Sequence, residues 1–224
     1  MKCGVIIPAY NVGETLHTVL SKTQDFIPQQ YIYVVDDGST DETKAILQKS
    51  SVKTITLDRN RGKGVAMRAG IQRALQDDLD ALITLDGDGQ HDPAEIPLFM
   101  QTLEKTGSDA VFGYRQFRIG VMPIDRILSN SLTSWIVSKV TGHEVPDSQC
   151  GYRMYRTTVL RSLEINSKRF EVETEMLIKT LSSRYQVSHC PVTTTYHGNN
   201  SHIRRIPDTI RFCRLILQRL IQKK

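Results

Sequence analysis

The sequence predicts an α/β fold in which a mostly parallel central sheet is flanked by helices. Two observations predict it. Short apolar runs alternate with helix-like segments, and each of the first four runs ends in a loop rich in Asp, Asn, Gly or Pro. That alternation is the rhythm of strands joined by right-handed helical crossovers.

CGVII (3–7), YIYVV (31–35), VKTITL (52–57), ALITL (81–85) and DAVFG (109–113) are the expected strands. Residues 13–24, 41–49, 62–76 and 93–105 carry helix signals between them. Thr40 precedes DETKAIL as a cap with acids in the first turn, and Asp92-Pro93 supplies a cap followed by proline at a helix start. Beyond 113 the pattern loosens. Residues 124–140 read as an amphipathic helix, PDSQCGYRMYR as a turn entering a short strand, and FEVETEMLIKTL as another helix. No linker or internal repeat divides the chain, so its two halves are expected to share one core.

At 224 residues the chain can bury a substantial core without staples. Cys3, Cys150, Cys190 and Cys213 make no CxxC pair and no zinc spacing; four buried thiols in a reducing compartment are expected. MKCGVIIPAY is broken by Pro8 too early for a secretory signal, and no apolar run approaches the roughly 18 residues of a membrane span. The net charge of +5 is uneven: residues 202–224 carry seven basic side chains against Asp208 alone. Such a tail implies an anionic surface as partner.

In open sheets of this kind ligands bind beyond the carboxyl ends of the strands. PAYN, DDGSTD, RNRGKG and DGDGQ would converge there. In LDGDGQHDP, Asp86 and Asp88 fall on one side if the chain stays extended through Gly87, and a carboxylate pair suits Mg²⁺ or Mn²⁺ while leaving positions for phosphate. A calcium loop is excluded, since its sixth position holds His91 and its twelfth Pro97. The competing reading is a polar turn capping the next helix. Neither GxGxxG nor GxxxxGK[ST] is present, which argues against nicotinamide and P-loop enzymes. Lys63 precedes a helix and could meet a phosphate or simply be solvated.

PAYN, VVDDGSTDET, RNRGKGVAMRAG, LDGDGQHDP, GYR at 113–115 and DSQCGYRMYR, in this order, resemble the family 2 glycosyltransferases of GT-A fold, the nucleotide-diphospho-sugar transferase architecture. The likeness covers about residues 3–200 and points to the dolichyl-phosphate mannosyltransferase-like branch, with its bacterial polyprenyl-phosphate glycosyltransferases. It implies a nucleotide sugar, GDP- or UDP-linked, bound by Pro8, Tyr10, Val35, Asp37, Asp86, Gly87 and Asp88. It further implies a divalent metal held by Asp86, Asp88 and Gln90, and catalysis carried by Asp88 and Arg115. The implied division is a glycosyltransferase domain over 1–200, with a nucleotide-sugar half (1–115) and an acceptor half (116–200). An acceptor loop and basic amphipathic helix follow over 201–224. One departure is Val12, where the family often has glutamate.

Transfer to a sugar hydroxyl needs a base, and processive synthases of the family carry Q/RxxRW. Here the single tryptophan, Trp135, has no such context. A phosphate acceptor is already a nucleophilic dianion near neutral pH and needs cations to position it. Arg115, Arg126, Arg153, Ser201 and Arg204 are the candidates, with Ser201 and Arg204 where relatives have a Ser-Lys pair. From Ile210 to Ile221 apolar residues alternate with Arg211, Arg214 and Arg219, as in a helix lying on a membrane surface or packed on the core or a partner.

The expected activity is therefore inverting transfer of a hexose to a polyprenyl phosphate at the cytoplasmic face of the cell membrane by a peripheral protein. A homodimer or a small membrane-protein partner is compatible with it. Transfer to a hydroxyl, with Asp147 or one of Glu171, Glu173 and Glu175 as base, is the alternative. Nucleic-acid binding by the tail is distant, because Phe212 is the only aromatic among its arginines. His91, His143, His189 and His197 share no metal-ligand spacing and read as structural.

Overall fold

A computed structural model describes residues 1–116, 124–195 and 205–222. The five apolar runs form β1 (Cys3–Ala9), β2 (Ile32–Asp36), β3 (Lys53–Thr56), β4 (Ala81–Thr84) and β5 (Ala110–Arg115). Between them lie α1 (Gly13–Gln24), α2 (Thr43–Lys49), α3 (Lys63–Ala74) and α4 (Ile96–Thr106), the last entered through a 3₁₀ turn at Pro93–Glu95. The second half adds α5 (Ile124–Thr141), β6 (Arg153–Arg156), α6 (Thr157–Ser162), α7 (Glu171–Leu181), β7 (Val187–Val192) and α8 (Arg205–Gln222).

The sheet order is β3-β2-β1-β4-β6-β5-β7. Only β6 runs against its neighbours, pairing antiparallel with both β4 and β5. Alternate residues of each strand feed two apolar layers, as the period of two requires. Val5, Ile7, Ile32, Val34, Ile83 and Val111 pack under α1, α2 and α4. Ile6, Tyr33, Leu82 and Phe112 pack under α3, α5, α7 and α8. With both faces covered, the central strands read as continuous apolar runs rather than alternating ones.

Asp92 is the expected cap, accepting the Ala94 N–H at 3.2 Å with Pro93 next. Thr40 is not. Its N–H is taken by Asn11 Oδ1 at 2.8 Å, so α2 starts later, at Thr43, whose N–H is met by Asp41 Oδ1. Three cysteines are buried as expected, but Cys213 lies on the solvent side of α8 and is exposed. Among the described residues no helix is long and apolar enough to cross a membrane.

Candidate active site

Strand ends place the first residues. Pro8 and Val35 are register partners on β1 and β2, and Ala9 pairs with Asp36. The two loops that follow are stitched together. Asn11, at φ 52°, donates its N–H to Ser39 Oγ at 3.0 Å, and the Val12 N–H donates to Thr43 Oγ1 at 3.0 Å. Tyr10 sits half-buried at the start of this loop.

Asp37 is buried, and its two oxygens accept the N–H groups of Arg61 (2.7 Å) and Gly62 (2.8 Å). Burial pushes its carboxyl above the ordinary range against the pull of those bonds. It thus clamps the RNRGKG loop. Asp36, which the sequence reading passed over, has one oxygen on the Ser39 N–H at 2.8 Å; the other is buried with no partner among the described residues. An orphaned buried carboxylate oxygen at a strand end is an open hydrogen-bonding position for a ligand donor.

The clamped loop delivers Lys63 into the site. Gly62 adopts φ 102°, and a Cβ there would strike the Lys168 carbonyl oxygen. Because glycine alone permits this approach, Gly64 donates to Lys168 O at 2.9 Å and the loop lies against residues 167–168. Lys63 is not solvated: its ammonium lies 2.6 Å from Asp86 Oδ1 and 2.5 Å from Glu173 Oε1. Burial alone would lower its pKa, but the two carboxylates hold it above the ordinary lysine value. Gly151 closes the cluster, since a Cβ there would collide with Glu173 Oε1 and come within 3.1 Å of Asp86 Oδ2.

Asp86 and Asp88 behave differently. Burial opposes the charge on Asp86, but Lys63 outweighs it and the carboxyl stays below its usual range. Asp88 is pushed up, first by burial and then by the charge on Asp86, and among the described residues the Gln90 N–H at 3.0 Å is the bond it accepts. Gln90 is half-buried, its carbonyl fixed by the Thr195 N–H at 2.9 Å. Gly87 is packed rather than open on its Cβ side, which faces Val12 and Ile7 at 3.3 and 3.5 Å, and its carbonyl accepts Thr15 Oγ1 at 2.7 Å.

Arg115 ends β5 and grips Asp147 with Nε at 2.6 Å and Nη2 at 3.0 Å. Burial disfavours the Asp147 charge, yet this fork keeps its carboxyl below the usual range. The Arg115 charge also helps lower the Asp86 carboxyl. His91 is buried, its ring nitrogens within reach of the Thr193 carbonyl and the Cys150 thiol, and burial keeps its imidazole below the ordinary value.

Other candidates separate. Arg153 is a correction: fully buried under the Phe112 ring, it donates to the carbonyls of Glu173 and Ser148 and has no access to a phosphate. Of the three alternating glutamates, only Glu173 faces the site. Glu171 holds the N–H groups of Lys168 and Arg169, and Glu175 those of Asn166 and Ser167. Arg126 is half-buried in the first turn of α5. Ser201, Arg204 and His197 lie outside the described residues.

Among the described residues no three His, Cys, Asp or Glu side chains are grouped as a ready metal site. The donor chemistry nevertheless suits a hard divalent ion. Among the described residues, the ion pairs shown at Asp86, Glu173 and Asp147 are with Lys63 and Arg115, so the four carboxyls of Asp86, Asp88, Glu173 and Asp147 meet two cations there.

Sheet order, strand-end site and acidic pair together define a GT-A glycosyltransferase. The fold is shared with glucosyl-3-phosphoglycerate synthase from Mycobacterium tuberculosis. Its complex with uridine-diphosphate has a TM-score of 0.76 at 19% identity, over 97% of this chain and 79% of that one. The same enzyme with Mn²⁺, uridine-diphosphate and glucosyl-3-phosphoglycerate gives a TM-score of 0.71 at 19% identity, over 99% and 79%. The family model described as Glycosyl transferase family 2 matches residues 4–164, and the chain belongs to that family. Undecaprenyl-phosphate mannosyltransferase of Micrococcus luteus is 30% identical over 86% of this chain and 83% of its own length. UDP-N-acetylglucosamine--dolichyl-phosphate N-acetylglucosaminyltransferase of Methanococcus voltae is 29% identical over 86% and 85%.

Proposed function

We propose that the protein is an inverting, metal-dependent hexosyltransferase that moves a hexose from a GDP- or UDP-linked nucleotide sugar to a polyprenyl phosphate at the cytoplasmic membrane face. The relatives named for transfer to undecaprenyl and dolichyl phosphate support this acceptor class. The observation that carries the reading is the state of the site's carboxylates. Asp147 is locked by Arg115 and Glu173 is tied to Lys63, so neither is poised to take a proton from a hydroxyl. An acceptor already ionised needs no such base.

On this reading Pro8, Tyr10, Val35 and Asp37 surround the base and ribose, with Asp36 offering its unpartnered oxygen as a further acceptor. Asp86, Asp88 and Gln90 would hold Mg²⁺ or Mn²⁺, which stabilises charge on the leaving diphosphate as a Lewis acid. Gly87 brings the backbone close to the donor. Arg115, with Arg126, Ser201 and Arg204, receives the acceptor phosphate. One phosphate oxygen bonds to the anomeric carbon as the bond from that carbon to the diphosphate oxygen breaks on the opposite face, which inverts the centre. No proton moves in this step. Residues 1–115 serve the donor, 116–200 the acceptor, and 201–224 the acceptor loop and a helix lying on an anionic leaflet.

The test is a thermal-shift panel of nucleotide sugars with and without Mn²⁺ or Mg²⁺, followed by transfer to a water-soluble short-chain isoprenyl phosphate. A GDP- or UDP-sugar should raise the melting temperature only with metal, and Asp88→Ala should lower transfer by about a thousandfold. Full metal-dependent transfer by Asp88→Ala, or no shift with any nucleotide sugar, overturns the proposal.

A further inference from the structure

Lys63 brings a cation to a carboxylate that the proposed reaction gives to another cation. Its ammonium lies 2.6 Å from Asp86 Oδ1 and 2.5 Å from Glu173 Oε1, with the Lys63 side chain 11% exposed and that of Glu173 12%. Among the described residues, the ion pair shown at Asp86 is this one, on Oδ1.

A lysine stem is ordinarily mobile, with four carbons to turn about. Here both ends of the contact are fixed. Asp37 accepts the N–H groups of Arg61 and Gly62 at 2.7 and 2.8 Å, and the Gly64 N–H donates to Lys168 O at 2.9 Å, so the backbone is held on each side of Lys63. Glu173 is held through its own carbonyl, which accepts from the buried Arg153, and its neighbours Val172 and Thr174 are buried.

We infer that Lys63, positioned by Glu173, is a resident counter-cation that makes metal binding depend on the donor. The donor-free site takes a divalent ion weakly, and the anionic oxygens of a nucleoside diphosphate bring it to full affinity. The inference rests on the proposed metal-dependent transfer and adds an order of binding to it, set by two residues outside the metal's own ligands.

The reason is competition for Asp86. With the lysine in place, that carboxylate has to serve an ammonium and a dication together, in a site largely withdrawn from water where repulsion between the two is weakly screened. Mg²⁺ typically joins one or two carboxylates to substrate phosphates, and a lysine ammonium also binds phosphate as a point charge. A diphosphate therefore offers both cations further anionic partners and relieves the conflict.

A purely structural rivet between α3 and α7 has a different signature. Removing either of its partners would loosen the same joint, so both removals would move metal affinity in one direction. For a counter-cation the directions are opposite. Lys63→Met removes the competing charge, whereas Glu173→Gln removes the carboxylate that shares the ammonium and leaves it on Asp86 undivided.

Free Mn²⁺ is followed by electron paramagnetic resonance in titrations of the full chain, without nucleotide and with saturating UDP or GDP. The wild type should bind Mn²⁺ at least about tenfold more tightly with one of the two nucleotides. Without nucleotide, Lys63→Met should bind it at least about tenfold more tightly than the wild type, and nucleotide should add little further. Glu173→Gln should bind it more weakly than the wild type without nucleotide, with circular dichroism confirming the fold of both variants.

Equal affinity with and without nucleotide in the wild type overturns the inference and leaves the proposed reaction standing. So does a Lys63→Met protein with no gain, or a change in the same direction in both variants. If Lys63→Met does not fold, Glu173→Gln decides: weaker nucleotide-free binding supports the counter-cation and tighter binding overturns it. A wild type that takes up no Mn²⁺ with either nucleotide refutes the metal-dependent reaction itself, and the inference with it.

Discussion

Asp88 and Asp147 are both aspartates withdrawn from water at the same edge of the sheet, and they are treated in opposite ways. Asp147, in the loop before β6, has both oxygens in the Arg115 fork and takes further N–H groups from Arg115 and Gln149. Asp88, in the loop after β4, has the Gln90 N–H and the repulsion of Asp86. One carboxylate is finished by the fold. The other keeps a charge that burial and Asp86 both oppose, the condition that marks it as a candidate binding position.

The largest effect should come from breaking the finished pair. Asp147→Ala leaves the Arg115 guanidinium, whose side chain is 12% exposed, without its partner, and should cost about 3 kcal/mol at pH 7 in urea unfolding. The folded Asp147 carboxyl titrates below its unfolded value, so the pair's contribution is complete above the ordinary Asp range, about pH 4. It is lost as pH falls through the lower folded value. The gap between wild type and Asp147→Asn should accordingly narrow in acid.

A smaller effect of opposite sign is expected at Asp88. Its folded carboxyl titrates above its unfolded value, so the ionised form costs stability at neutral pH. Asp88→Asn should raise stability by about 1 kcal/mol at pH 7, the usual gain when a functional group is neutralised. That advantage should vanish as pH falls below the ordinary Asp range. Mn²⁺ should raise the melting temperature of the wild type and not of the variant, so scans with and without chelator sharpen the contrast. Smallest is Asp92→Ala. It removes a cap and an exposed pair to Lys22 at 3.3 Å, and should cost about 0.5 kcal/mol with transfer unchanged.

How legible each half was follows from where its determinants lie in the chain. β1 to β4 are fixed by local alternation and by the loop after each run, so their order and the place of Asp86 and Asp88 could be read directly. β6 has four residues and owes its antiparallel place between β4 and β5 to contacts made only in the folded chain. α6 and β7 were not anticipated: α6 is six residues long, and VSHCPV has a proline that only an edge strand accepts, which is where β7 lies. Lys63 and Glu173 are 110 residues apart, so no local pattern could announce their bond. The helix then separates the alternating glutamates, because residues two apart face different ways.

The approach of Gly62 and Gly64 to the backbone of 167–168 has a consequence for engineering. A chimaera taking residues 1–115 from one relative and the rest from another would cut through a fitted joint, pairing one protein's lysine loop with another's 167–173 segment. Grafts that carry 61–64 and 167–173 from the same parent should retain the joint, which makes these two short segments, far apart in sequence, a single heritable unit.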